Sequence, residues 1–387
     1  MLGMGAMLAS LTSCGGIWLP SAGPSTNEIY AGARSRSTGE TRFALIDVNA
    51  NVVAKMETWA PASLQGTFGK QSPFSGQVIG VGDYVQVMVW EAAAGGLFSA
   101  PVLGAGAAAG SRTATIPEQV VGPDGAITVP YAGRVRVVNR TPQQIEEAII
   151  AALQGKAIEP QALVTVTKNI ANTVTVVSET TGGNRIPLTT RGDRILDVIA
   201  TAGGTKAPPH ETFVTLVRDG QSLRIPMQAI LSDPAENVYV RPGDVISVAR
   251  EIQTFTAAGA MGSGSVIPFE AIGITLDQAI ARAGGINDNR ADPAGVFVIR
   301  YERPQDYDQL GFQRPDAGPL MQVPTIYRLN MRDPIGFFLA RRFPVRNKDI
   351  LYVSNAPSME LQKFMTVLLP FLGVGVTAVT VSNSLPR

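Results

Sequence analysis

The chain has 387 residues, enough for two or three domains, and its 32 lysines and arginines nearly balance its 31 aspartates and glutamates. This balance argues against a nucleic-acid partner that is held by bulk charge. One cysteine excludes internal disulfides and CxxC metal sites, and one histidine, His210, in a loop context argues against histidine catalysis, so we predict no catalytic residue, metal or cofactor.

The N-terminus is a short apolar run that leads to the single cysteine, Cys14. Leu11, Thr12 and Ser13 precede it, which resembles the lipobox of bacterial lipoproteins, where small residues let a peptidase reach the bond before a lipid-modified cysteine. We therefore expect a signal peptide over residues 1–13 and acylation of Cys14 with diacylglycerol and palmitate. The alternative is a signal-like run with an incidental cysteine. A signal peptide requires a basic residue before its apolar run, and none precedes the run here.

Residues 14–77 are predicted to be a lipidated segment and linker. Residues 21–41 are polar and rich in serine and glycine, which favours a linker. In residues 43–55, side chains at alternate positions would lie on opposite faces of a strand, with Phe43, Leu45 and Asp47 on one face and Ala44, Ile46 and Val48 on the other. This alternation predicts one strand.

Residues 78–170 predict a small α+β domain. Residues 79–91 indicate a turn that feeds a long strand, and residues 92–111, rich in alanine and glycine without a period, indicate a long loop. A turn at Gly122-Pro123-Asp124-Gly125 then opens a hairpin, because these residues either fix φ or tolerate a positive φ.

A helix and a strand complete this domain. Thr141 is a suitable N-cap, Pro142 suits the first helical position, and Gln144 completes a capping box. Apolar residues then recur at helical spacing, at Ile145, Ala148, Ile149 and Ala152. A last strand is expected at residues 163–167.

The order and motifs of these elements resemble the polysaccharide-export domain of outer-membrane lipoproteins of the Wza type. The resemblance is carried by residues of the long strand, the hairpin and the helix start: Gly82, Asp83, Trp90, Glu91, Pro123, Asp124, Gly125, Pro130, Gly133 and Thr141.

After residue 170 the chain repeats one pattern twice. Each copy has a strand, a short helix that ends at Gly-Gly (194–204 and 275–285), a further strand, and a closing strand after an aspartate (240–248 and 345–353). The pattern resembles the soluble-ligand-binding (SLBB) β-grasp module, which predicts modules at 171–250 and 251–356. The module's name suggests saccharide binding, and the alternative is a spacer that stacks subunits into rings. A polar insertion at about 303–324 of the second copy is expected to be an exposed loop.

Aspartates recur in turns that precede strands, at Asp83, Asp244 and Asp349. We expect each carboxylate to accept hydrogen bonds from backbone N–H groups of its own turn instead of doing chemistry. With Asp124 and Gly125, they are predicted to be structural turn residues.

Residues 364–381 form a stretch of 18 residues without a charge. As a helix this stretch would span roughly 27 Å, about the thickness of a bilayer core. Thr366, Gly373, Thr377 and Thr380 fall on one stripe, which predicts a lumen-facing or helix-packing side. We expect a membrane-spanning helix over residues 360–382, and a buried core helix is the alternative.

The predicted fold class is therefore α+β and multidomain: a small polysaccharide-export domain, two β-grasp-like repeats and a C-terminal transmembrane helix. The resemblance implies an outer-membrane export channel for capsular or exopolysaccharide, lipid-anchored, with most of the chain in the periplasm. It also implies a homo-oligomeric ring that works with the exported polysaccharide and an inner-membrane polysaccharide co-polymerase or tyrosine autokinase, without enzymatic activity. The alternative is a periplasmic saccharide-binding or scaffold lipoprotein that forms no pore.

Overall fold

The computed structural model describes residues 23–34, 43–57, 62–69, 78–91, 97, 112–179, 182–312 and 322–356. They belong to two compact units. The first unit combines the described residues up to 57 with those from 252 onward, and the second unit holds those from 62 to 251.

The helices and strands are as follows. The described helices are α1 (Thr26–Arg34), α2 (Ala50–Glu57), α3 (Leu64–Phe68), α4 (Pro142–Leu153), α5 (Ile195–Thr201), α6 (Met227–Ser232), α7 (Leu276–Arg282), α8 (Pro304–Leu310) and α9 (Pro334–Arg342), with a 3₁₀ turn at Pro209–Glu211. The described strands are β1 (Ala44–Asp47), β2 (Tyr84–Glu91), β3 (Arg112–Val120), β4 (Ala126–Val129), β5 (Gly133–Arg136), β6 (Gln161–Lys168), β7 (Thr173–Ser178), β8 (Asn184–Pro187), β9 (Thr212–Arg218), β10 (Gln221–Pro226), β11 (Val245–Arg250), β12 (Gln253–Gly259), β13 (Val266–Phe269), β14 (Ile274–Thr275), β15 (Ala291–Glu302), β16 (Val323–Leu329), β17 (Pro344–Val345) and β18 (Ile350–Asn355).

The N-terminal part of the second unit is built around β2, which pairs antiparallel with β3 on one side and β6 on the other. Helix α4 begins with the predicted capping box, because the Thr141 hydroxyl accepts from the Gln144 N–H and the Gln144 side chain accepts from the Thr141 N–H. Ile145 and Ile149 are fully buried in a core that they share with β2, β6 and the β4–β5 hairpin. The predicted order of long strand, hairpin, helix and strand is confirmed.

The rest of the second unit contains the first repeat. Its sheet has the order β10-β9-β11-β7-β8, in which β7 and β11 are parallel and the other pairs are antiparallel. Helices α5 and α6 pack on this sheet, and α3 adds Leu64 and Phe68 to the same core. The predicted helix ends at a Gly-Gly pair with positive φ, 103° at Gly203 and 72° at Gly204.

The first unit contains the second repeat in a sheet of order β1-β16-β15-β18-β12-β13. Strand β1 comes from the N-terminal segment and pairs parallel with β16. Helices α2, α7, α8 and α9 lie over one face of the sheet, where their apolar side chains share a core with β12, β15, β16 and β18. Helix α1 lies on the opposite face, where Ile29 packs with Phe297, Ile326 and Tyr352.

The prediction of one strand over residues 43–55 is wrong beyond Asp47. The Asn49 side chain accepts from the Val52 N–H at 3.0 Å and starts α2. Val52, Val53 and Met56 are then buried on one helical face. The alternating pattern that predicts a strand therefore corresponds only to β1. Residues 50–57 form a helix instead, because a helix buries these three side chains on one face.

Two further segments are helical where loops were predicted. The linker predicted over residues 21–41 contains α1, which is anchored by Ile29. The insertion predicted over residues 303–324 contains α8, whose Tyr307 and Leu310 are buried in the core of the first unit. Both segments are polar overall, but each forms a helix because a few of its apolar side chains pack against a neighbouring sheet.

One element of the predicted fold class is corrected, the C-terminal transmembrane helix over residues 360–382. Within the part of the chain that the structure describes, no helix has the length and apolar character needed to cross a membrane. A membrane span takes about 20 residues, whereas α4, the longest helix among the described residues, has 12. The predicted segment itself lies outside the described residues, and the described fold is α+β and multidomain.

Candidate functional site

The three turn aspartates occupy equivalent positions before their strands. Asp83, Asp244 and Asp349 are buried, and one carboxylate oxygen of each accepts from the backbone N–H three residues earlier. The distances are 2.8 Å from Gly80, 2.7 Å from Arg241 and 2.8 Å from Arg346. Each side chain thus closes its own turn, as turn aspartates commonly do.

Asp83 also holds the connection between the export-type domain and the first repeat. Its second oxygen accepts from the N–H groups of Ile170 and Ala171 at 2.7 and 2.8 Å. The Asn172 side chain donates to the Val78 carbonyl at 2.7 Å beside it. One carboxylate therefore fixes the start of β2 against the chain that enters β7.

Asp244 forms a buried bidentate ion pair with Arg218 of β9. The Nε and Nη2 atoms of Arg218 donate to the two carboxylate oxygens at 2.9 and 2.6 Å. Nη2 also donates to the Tyr239 carbonyl at 2.8 Å, and the guanidinium lies 5.3 Å from the centre of the Phe68 ring. Planar pairs of this kind are among the strongest hydrogen-bonded contacts in proteins.

The second repeat carries the equivalent arginine–aspartate pair, with one hydrogen bond instead of two, in a larger charged cluster. Arg300 of β15 donates to Asp349 at 2.7 Å, and its guanidinium lies beside the rings of Tyr327 and Phe343, 5.4 and 5.2 Å from their centres. Burial raises the pKa of Asp349, and the positive charge of Arg300 offsets only part of this effect.

Glu302, two residues after Arg300, is fully buried in the same cluster. It accepts from Tyr327 Oη at 2.8 Å and from Arg346 Nη1 at 2.7 Å. Burial and the neighbouring Glu302 charge raise the pKa of Tyr327, so the phenol stays a donor. The cluster is a hydrogen-bonded network inside the core.

Sequence reasoning missed the two arginines. A signal was present, because Val214, Leu216 and Arg218 of β9 match Val296, Val298 and Arg300 of β15 at alternate positions. Both arginines therefore lie on the inward face of an apolar strand, where a charge needs a partner.

Asp124 and Gly125 lie in the turn that opens the β4–β5 hairpin. Asp124 forms an exposed ion pair with Arg134. Gly125 has a φ of 69°, and its carbonyl accepts from the Val137 N–H at 2.9 Å. A Cβ at this position would lie 2.8 Å from Val138 Cγ1, so both backbone conformation and space require glycine.

An open groove of about 450 Å³ lies in the second unit beside α3. The guanidinium of Arg194 stacks over the Tyr239 ring at 4.5 Å and donates to the Asn237 carbonyl at 3.1 Å. Arg194 thus already covers one ring face in this groove. Another groove of about 390 Å³, in the first unit, is lined by aromatic residues that include Tyr30, Phe43, Tyr307 and Phe312.

Neither groove brings together a set of catalytic groups among the described residues. Within that part of the chain, no group of three or more His, Cys, Asp or Glu side chains could hold a metal ion. His210 is half exposed, 3.9 Å from a carboxylate oxygen of Glu211. The predicted lipidation site Cys14 lies outside the described residues, as do Thr366, Gly373, Thr377 and Thr380.

Comparison with known proteins identifies the two kinds of module. Residues 72–167 match the family model described as polysaccharide biosynthesis/export protein, and residues 253–353 match the model of the SLBB domain. The chain is 35% identical over 371 residues to the capsule polysaccharide export outer membrane protein CtrA of Neisseria meningitidis serogroup B, a match that covers 93% of this chain and 92% of the relative. The chain belongs to the polysaccharide export protein family. The predicted resemblance is confirmed.

Other members of the polysaccharide export family match over similar lengths. The capsule polysaccharide export protein BexD of Haemophilus influenzae is 34% identical over 370 residues, covering 94% of this chain and 93% of the relative. The Vi polysaccharide export protein VexA/TviF of Salmonella typhi is 24% identical over 345 residues, covering 88% and 91%. Members of this family are transport components and not enzymes.

Proposed function

We propose that this chain is a subunit of an outer-membrane channel that exports a capsular or extracellular polysaccharide through a lumen formed by identical copies. The observation that carries the proposal is the match to CtrA over more than nine-tenths of both chains. Because the match runs through both modules, it covers the arrangement of the protein and not only one domain.

The geometry of the two repeats is consistent with a structural role in the channel. Each repeat closes its final turn with a buried arginine–aspartate pair, Arg218 with Asp244 and Arg300 with Asp349. Such pairs hold strands and turns in one arrangement, and the charged groups of both pairs are themselves buried. Modules of this kind suit a rigid scaffold that stacks and surrounds a passage.

The proposal extends to location and partners. We place the protein in the outer membrane, anchored by acylated Cys14, with residues 78–170, 171–250 and 251–356 as periplasmic domains and with β1, α2 and α3 of residues 14–77 packed into the two repeats. An inner-membrane polysaccharide co-polymerase or tyrosine autokinase would deliver the polymer. The β-grasp modules act as spacers between subunits in this proposal.

The test uses full-length protein extracted from membranes in mild detergent. We expect its native mass to correspond to one discrete oligomer, and we expect that oligomer in vesicles to release an enclosed fluorescent capsular polysaccharide. Empty vesicles and vesicles with heat-denatured protein are the controls. A monomer that releases nothing would contradict the proposal and favour a periplasmic lipoprotein without a pore.

A further inference from the structure

Helix α9 of the first unit exposes three large apolar side chains. Ile335 is 60% exposed, Phe337 60% and Phe338 73%. The opposite side of the helix is buried, with Leu339 and Ala340 in the core of the unit. Phe338 thus points away from the core with the other two beside it, which is an unusual surface for a helix in water.

The sheet of the same unit has a second apolar surface on its outer face. Val266 of β13, Thr256 of β12, Ile350 of β18 and Ile299 of β15 form a row across four neighbouring strands, because each is paired with the next in register. Tyr301 follows Ile299 on the same face of β15. Val266, Ile350 and Tyr301 are 63%, 39% and 64% exposed.

The row and Tyr301 lack the pattern of a sheet face in water, whereas the charged Arg328 and Asp47 of the same face lie at its β1–β16 edge beside Tyr30 of α1. A face that meets solvent normally carries polar and charged side chains, yet no residue of the row, nor Tyr301, carries a charge. Charged residues are depleted in the same way at the centres of protein interfaces, where aromatic residues are enriched. Helix α1 covers a neighbouring part of the face, at Phe297 and Tyr352.

The two surfaces lie on opposite sides of the unit. Leu351 and Val298 point to the core that contains α9, so their strand neighbours Ile350, Ile299 and Tyr301 point away from it. Two different apolar surfaces on opposite sides of one subunit are what a head-to-tail contact needs, and such contacts generate rings when the rotation closes.

We propose that the α9 surface (Ile335, Phe337 and Phe338) of one copy docks on the outer sheet face (Val266, Ile350, Ile299 and Tyr301) of the next. The inference rests on the proposed function, which requires identical subunits to assemble. The two phenylalanines alone offer roughly 200–330 Å², since a fully buried aromatic side chain covers about 150–250 Å². This is at least about a quarter of the roughly 800 Å² that each partner gives to a standard interface.

Disulfide trapping tests the pairing between copies. One copy carries Phe338→Cys and one tag, and the other carries Tyr301→Cys and a second tag; both are full-length, and the chain with Cys14 alone is the control. After mild oxidation of membranes that hold both copies, we expect a dimer with both tags. We expect its loss when either new cysteine is absent. Self-linking of the Phe338→Cys copy, or no link in any combination, overturns the proposal.

Native mass supplies the second measurement. Phe338→Asp is expected to shift the extracted oligomer to smaller species, whereas Leu231→Asp, at a 51% exposed leucine of the other unit, is expected to leave it unchanged. An unchanged mass for Phe338→Asp overturns the proposal. The α9 surface would then have another partner, such as lipid or residues 357–387 of the same chain. A wild-type oligomer without the cross-link refutes this inference alone, and a wild-type monomer refutes the proposed function.

Discussion

Removal of the Asp244 carboxylate should weaken the first repeat more than most single substitutions. The Arg218 and Asp244 side chains are 4% and 2% exposed, so Asp244→Ala leaves a buried guanidinium without its bidentate partner. Breaking a buried pair in this way costs about 3–5 kcal/mol. At 1.4 kcal/mol per factor of ten, local opening should become roughly 150 to 4,000 times more frequent.

Hydrogen exchange measures this opening in the intact protein. We expect the faster exchange in the amides of β9 and β11, which Arg218 and Asp244 hold together. The amides of β15 and β18 in the other unit should keep their wild-type rates, because their own pair, Arg300 with Asp349, is untouched.

The double variant Arg218→Met with Asp244→Ala separates the buried charge from the turn. It removes both charges, so about 2 kcal/mol should remain, roughly 1 kcal/mol for each of two lost hydrogen bonds, from the Arg241 N–H and to the Tyr239 carbonyl. A double variant as damaged as Asp244→Ala alone would refute the reasoning, because the unpaired arginine would then not be the cause.

Three further predictions concern the hairpin turn, the buried cluster and the N-terminus. Gly125→Ala should lower the free energy of unfolding by about 1–3 kcal/mol. Gly133→Ala should lower it by less, because Gly133 also has a positive φ but has no atom near its Cβ position. The two variants are compared by urea denaturation and by the hydrogen-exchange rates of the β4 and β5 amides. Tyr327→Phe should cost about 1.5–3 kcal/mol, because it removes a hydrogen bond to the buried Glu302 carboxylate, and equal stability of the two proteins in urea would show that this bond contributes nothing. Cys14→Ser should abolish incorporation of an alkyne-labelled fatty acid that the wild-type chain takes up, and labelling that persists in the variant would rule out Cys14 as the acylation site.

Local patterns predicted the elements that short-range chemistry decides. The capping box at Thr141 and the spacing of Ile145 and Ile149 predicted α4, because a helix start and an apolar stripe are both encoded within a few residues. The Gly-Gly pair at Gly203 and Gly204 likewise predicted the end of α5.

Long-range contacts decided the rest. Residues 50–57 fold as α2 because Val53 and Met56 meet a core made by residues more than 200 positions later. The pairing of Arg218 with Asp244 spans 26 positions, and that of Arg300 with Asp349 spans 49. The hydrophobic periodicity of one segment cannot predict partners this far along the chain. The repeated strand pattern around the two arginines did indicate that both point into a core and need a buried partner.

The most direct test of the central claim is to measure where polysaccharide accumulates in host cells that have been depleted of this protein. Surface and periplasmic polymer are quantified separately, before and after depletion, with the wild-type gene restored as control. The account predicts that polymer disappears from the surface and accumulates inside the cell envelope while its synthesis continues. Unchanged surface polysaccharide in depleted cells would contradict the account.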